Sequence, residues 1–223
     1  MVPLRIAAGQ QTLFTSAALV AACALAFTIV SFWWLHARQG RLNAWEPLTF
    51  SGAVTPSQSR LRFPVVVYNT GAKPIIVRDL RLSFLDEPMA TMPLPWTSLR
   101  SHLRPEQDDG LKMPAVFAVS GRTALQLFIE FGTSKPRYLV PEARTYRVSI
   151  EVLLGHKTEW CPLVTFAWHA ERLNHPTQYI AYRNSGESVE SEGPDKAVAS
   201  LDAVATMVVE EGGTPEGRTL KAP

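Results

Sequence analysis

Between Arg5 and His36 the chain carries no charged side chain, and from Leu13 to Trp34 it reads LFTSAALVAACALAFTIVSFWW. As a helix this stretch is about 33 Å long, enough to cross a hydrocarbon core of roughly 30 Å. Thr15, Ser16, Thr28 and Ser31 are compatible with lipid because a hydroxyl can bond back to the preceding turn. Phe32, Trp33 and Trp34 then meet His36, Arg38 and Arg41. Rings followed by basic groups suit the boundary between headgroups and water. The pattern predicts a transmembrane helix over residues 12–35, after a short tail of residues 1–11.

Two other readings compete for this segment. A cleaved signal peptide has an apolar stretch of roughly 7 to 15 residues and then small residues at the cut. Here the stretch is longer and ends in bulky aromatics. Val20-Ala21-Ala22-Cys23 resembles a lipobox, but Ala24 to Leu35 stays largely apolar where a lipoprotein turns polar. Ala18, Ala22 and Ala26 lie four apart, a spacing that lets two helices approach closely in a homodimer. Basic groups fall on both sides of the helix. The expected arrangement is a single-pass protein of the cell membrane with its larger part on the extracytoplasmic side.

A linker over 36–46 leads to a region of short strands, residues 47–170. In RLRFPVVVYN, Leu61, Phe63, Val65 and Val67 alternate with Arg60, Arg62 and Tyr68, the period of a half-buried strand. Asn69-Thr70-Gly71-Ala72-Lys73-Pro74 is turn chemistry. In the following strand the apolar face slips by one residue near Arg78-Asp79, as a β-bulge produces. Further strands are predicted at Leu48–Ala53, Ala115–Val119, Ala124–Phe131, Tyr146–Leu154 and Trp160–Trp168, with another at Pro95–Arg100. About seven or eight antiparallel strands with turns between them suit a sandwich. From 171 to 223 a mostly disordered tail is expected, with a transient helix over Leu201–Glu211.

Leu139-Val140-Pro141 followed by Tyr146-Arg147-Val148 resembles the tyrosine corner of immunoglobulin-like and fibronectin type III-like domains. The resemblance implies a mainly β, antiparallel immunoglobulin-like sandwich and a tendency toward adhesion or scaffolding. The paired cysteines of true immunoglobulin domains are missing, and it implies no site residues.

The chemistry-bearing residues do not assemble into a reaction. Cys161 and His169 lie eight apart on one predicted strand, about 26 Å, too far for one copper ion. His156 could approach Cys161 across a hairpin, but two ligands do not make a site. Asp108 and Asp109, beside Glu106, lack the alternation of a calcium loop and read as a solvated loop. The net charge of +2 gives no overall bias toward nucleic acid, and Arg60, Arg62, Arg78 and Arg81 read as the solvated face of a sheet. No cofactor, metal or catalytic residue is expected. The partners expected are the lipid bilayer and another protein. The proline-rich stretch Asp86–Pro114 offers Leu94, Trp96 and Leu103 as contact points, unless Leu94 and Trp96 fold back as an edge strand. The function expected is a membrane-tethered, non-enzymatic interaction or scaffolding module. The alternative is an accessory subunit, or a cryptic enzyme or metal-binding domain completed by another chain.

Overall fold

The computed structural model describes residues 8–86, 93–105, 109–133, 141–185 and 193–210. Helix α1 spans Ala8–Phe32 and runs into a five-residue π turn, Trp33–Ala37, closed by the Arg38 amide on the Trp33 carbonyl at 2.9 Å. Its apolar window Ser16–Ala37 is long enough to cross a membrane, and none of it is buried against the rest of the chain. The Thr28 hydroxyl donates to the Ala24 carbonyl at 2.8 Å, so this polar group is satisfied within the helix.

The chain is otherwise mainly β. Among the described residues ten strands follow: β1 Leu42–Ala44, β2 Thr49–Thr55, β3 Gln58–Asn69, β4 Ile75–Phe84, β5 Leu94–Arg100, β6 Phe117–Val119, β7 Ala124–Thr133, β8 Thr145–Leu154, β9 Trp160–His169 and β10 Ile180–Arg183. They form one curled antiparallel sheet, a half-barrel, in the order β10-β2-β3-β7-β5-β4-β8-β9, with β1 added to β3 and β6 to β4. The alternation read in β3 is realised: Leu61, Phe63, Val65 and Val67 are at most 1% exposed. The register of β4 against β8 shifts between Val77 and Asp79, where the bulge was expected.

Strand β5 makes the sheet continuous. Leu94 and Pro95 pair with Leu82 and Arg81 of β4, whereas Trp96 to Arg100 pair with β7. The two arms are therefore joined through one bent strand instead of standing as separate layers. Aromatic side chains fill the concavity: Phe63 of β3 meets Phe166 of β9 at 5.4 Å between ring centroids, and Phe50 of β2 meets Trp168 at 5.8 Å. At the Tyr146 corner the hydroxyl accepts the Glu142 amide at 2.7 Å. Leu139 and Val140, also part of that motif, lie outside the described residues.

Several segments differ from expectation. The linker is shorter, because β1 already pairs with β3. The chain after 170 departs from the expected disordered tail over residues 171–185 and 193–210. Ala170 and Leu173 are fully buried, and β10 pairs with β2. Helix α2, Gly193–Glu210, packs Ala197, Leu201, Val204 and Ala205 against the domain, which supplies the apolar burial that offsets ordering. Glu211, the end of the predicted helix, lies outside the described residues. The open seam of the half-barrel is bridged by Asn184. Its side-chain amide donates to the carbonyls of Ala167 (2.9 Å) and Pro47 (3.1 Å), and its oxygen accepts the His169 amide at 3.0 Å.

Candidate functional site

On the outer face of the sheet a row of polar residues crosses four strands. Register places Ser51 opposite Arg62, Arg62 opposite Glu130, and Glu130 opposite Ser98. Period-two alternation turns this row away from Leu61 and Phe63 and toward what should be water. Instead, residues 101–105, Asp109 and Tyr179 cover it. The Arg62 side chain is 2% exposed, Glu130 3% and Asp109 5%.

This corrects two expectations. Arg62 does not belong to a solvated face, and Asp109 does not belong to a solvated loop; each is buried because it pairs with the other. Arg78 is exposed as expected. Glu106 and Asp108 lie outside the described residues.

The Arg62 guanidinium donates to Asp109 Oδ2 and to Glu130 Oε2, each at 2.9 Å, and to the His102 carbonyl at 2.6 Å. Its plane faces the Tyr179 ring at 5.0 Å, and the Tyr179 hydroxyl donates to Glu130 Oε2 at 2.9 Å. Such forked donation to two carboxylates, with a ring against the guanidinium plane, suits arginine and not lysine. Burial works against the charge on Arg62, but Tyr179, Glu130 and Asp109 outweigh it and hold the guanidinium protonated. Burial, then the Glu130 charge, pushes the Tyr179 hydroxyl well above its usual range. For Asp109, burial acts to raise the pKa; the His102 amide, the Arg62 charge and the Ser101 amide outweigh it and hold the carboxyl below the usual 3.8.

A folded-state value below the unfolded one stabilises the protein above the unfolded value, and that contribution is lost as pH falls through the folded value. The wild type should therefore lose its advantage over Asp109→Asn below pH 3.8. Unfolding curves collected from pH 7 downward check this; a constant difference across that range contradicts it.

Beside the buried pair lies a groove of about 460 Å³, lined by Gln58, Arg60, Thr97, Arg100, Leu111 and Met113 among others. Arg60 reaches Glu130 Oε1 at 3.7 Å, whereas Arg100 reaches Glu130 Oε1 at 3.8 Å, Asp109 Oδ2 at 3.9 Å and the Ser98 hydroxyl at 3.2 Å; both side chains line the groove. Gly132 opposes Arg60 on β7; a Cβ there would lie 2.7 Å from the Ser59 carbonyl, so a larger residue would disturb the wall. Among the described residues three guanidiniums meet two carboxylates here, which leaves positive charge in excess at a concave surface. The arrangement can hold an anionic group of a partner. Among the described residues that line it, no nucleophile is paired with a base.

Elsewhere, Leu94 and Trp96 fold back onto the core, 3% and 5% exposed, but within β5, an interior strand between β7 and β4 and not the expected edge strand. Leu103 is half-buried, and its carbonyl accepts the Ser51 hydroxyl at 2.6 Å, so it helps to roof the polar row. Cys161 is a half-buried free thiol with the Lys157 ammonium at 3.3 Å. His169 Nδ1 lies 2.8 Å from Glu171. Among the described residues no group of three His, Cys, Asp or Glu converges.

No family model matches the chain, and no curated protein matches it. Among solved structures, a candidate lipoprotein of Bacillus subtilis is similar at 15% identity, covering 59% of this chain and 36% of its own, with a TM-score of 0.33. A protein of Archaeoglobus fulgidus is similar at 13% identity, covering 66% of this chain and 98% of its own, with a TM-score of 0.30. This chain thus spans about a third of the Bacillus protein.

Proposed function

We propose that the chain is a membrane-tethered interaction or scaffolding module without catalysis of its own. Helix α1 serves as an uncleaved single-pass anchor, and the groove between Arg60 and Arg100 receives an anionic group of a protein partner. The observation that carries this reading is the junction between helix and domain. Arg122 Nη2 donates to the Trp34 carbonyl at 2.5 Å, and the Ala72 amide to the Arg38 carbonyl at 2.9 Å. Cleavage within the helix or just after it would strip the domain of its own partners, which favours an anchor over a signal. We read the β domain as a variant of the immunoglobulin-like sandwich whose layers are fused through β5; the Tyr146 hydrogen bond to Glu142 supports that reading. In this reading the domain lies on the extracytoplasmic side.

Three measurements test the proposal. The chain should stay in the membrane pellet at its uncleaved mass after alkaline carbonate. A photo-crosslinking residue at Met113 should give a discrete protein adduct in those membranes, lost in Arg60→Glu. Release by carbonate would end the anchor reading, and a groove that yields no adduct would end the interaction reading. A reporter fused to the C-terminus and active only in the cytoplasm would reverse the side.

A further inference from the structure

Four connections meet at the end of the domain that α1 enters: residues 38–41, the turn 70–74, the turn 120–123 and the hairpin 155–159. Strand pairing places them together. Asn69 lies opposite Leu42, Tyr68 opposite Ala124, Ile75 opposite Val119 and Val77 opposite Leu154. The backbones also touch. A Cβ on Gly71 would fall 2.0 Å from the Gly40 nitrogen, and one on Gly121 would fall 1.9 Å from the Ala72 oxygen. The Gly155 amide donates to the Ile76 carbonyl at 2.9 Å. This end is one packed surface, fixed to the last turn of the apolar helix.

Its charge is not that of the whole protein. The four connections carry Arg38, Arg41, Lys73, Arg122 and Lys157 against one carboxylate, Glu159, whereas the entire chain nets only +2. Arg41, Lys73, Arg122 and Lys157 are exposed. Among the described residues, none of these five cations is paired with a carboxylate. Trp33, Trp34 and Leu35, each more than half exposed, border them on the helix side. Arg122 adopts the left-handed φ of 56° while its guanidinium reaches the Trp34 carbonyl, so a strained turn is kept where a cation meets the apolar helix.

We propose that this end of the domain is a docking surface for anionic phospholipid headgroups, which seats the β domain end-on against the bilayer around the helix junction. The inference rests on α1 crossing the membrane, since only that puts the five cations within a Debye length of the headgroups. Charge complementarity selects the lipid: a zwitterionic surface offers no net attraction, whereas an anionic one attracts each cation.

The test uses the full chain reconstituted in vesicles of phosphatidylcholine alone, or with part of it replaced by phosphatidylglycerol. Amide hydrogen exchange is followed in residues 70–73, 120–123 and 155–158. Exchange there should slow by about fivefold or more in the anionic vesicles, the ratio that one cation's attraction supplies. High salt should remove the effect, and so should Lys73→Glu combined with Lys157→Glu, both on exposed turns. Equal exchange in the two lipids, with the chain incorporated in both, would overturn the docking surface and leave the anchor standing. Failure to float with either vesicle would overturn both.

Discussion

Arg62→Met should destabilise the protein by about 3–5 kcal/mol, the loss typical when one member of a buried ion pair is removed. Methionine keeps the packing of the arginine stem but leaves Glu130 and Asp109 as buried carboxylates whose remaining cations, Arg60 and Arg100, lie no closer than 3.7 Å. Equilibrium unfolding of the detergent-solubilised chain measures the effect. Adding Glu130→Gln and Asp109→Asn should recover most of the loss, because the uncompensated charges are then gone. Arg81→Met is the contrasting control: its partner Glu151 lies at 2.5 Å, but the two side chains are 30% and 19% exposed, and water screens the pair. A surface pair of this kind is worth at most about 1 kcal/mol. If Arg62→Met cost no more than Arg81→Met, water would have to reach the polar row, and its description as buried would fail.

Trp168→Ala should cost a similar amount, about 3–5 kcal/mol, through a different cause. Trp168 is fully buried on β9 and touches rings from three other strands: Phe50 at 5.8 Å, Phe84 at 5.9 Å and Tyr146 at 5.6 Å. It packs between the two arms of the curled sheet, so its removal opens a cavity at their junction. Among the described residues the indole nitrogen has no hydrogen-bond partner, so the expected loss is one of packing. Trp168→Phe should therefore keep most of the stability, which separates ring volume from polarity. A small effect of the alanine variant on the unfolding midpoint would show that the arms do not depend on this ring.

Elements with strong local patterns were legible in the sequence. The uncharged run gave α1, and the alternation in β3 and β8 gave their buried faces. The slip at Arg78-Asp79 marked a real bulge, because a one-residue shift moves every later side chain to the other face. What depended on distant partners was not legible. Arg62 and Glu130 each look like outward-facing strand residues, and only the register of β3 against β7 brings them together. Asp109 sits 47 residues from its partner in a stretch with no regular pattern. The one available hint was Arg62 itself, a charged residue between the two core residues Leu61 and Phe63. Strand β1 at three residues and β10 at four are too short to show a period, and pairing alone defines them. The separate layers of a sandwich were a reasonable inference from strand number, but nothing local announces that β5 changes neighbours halfway along.

Asn184 gives the seam of the half-barrel a clasp that arrives late. Synthesis releases α1 first, and the rim of β9 follows well before residue 184 is made. For that interval the β9 rim lacks the Asn184 amide, and the hollow between the arms stays unlatched along it. Any shortened product ending before β10, and so before this asparagine, would keep nine of the ten described strands and yet never latch shut at this rim.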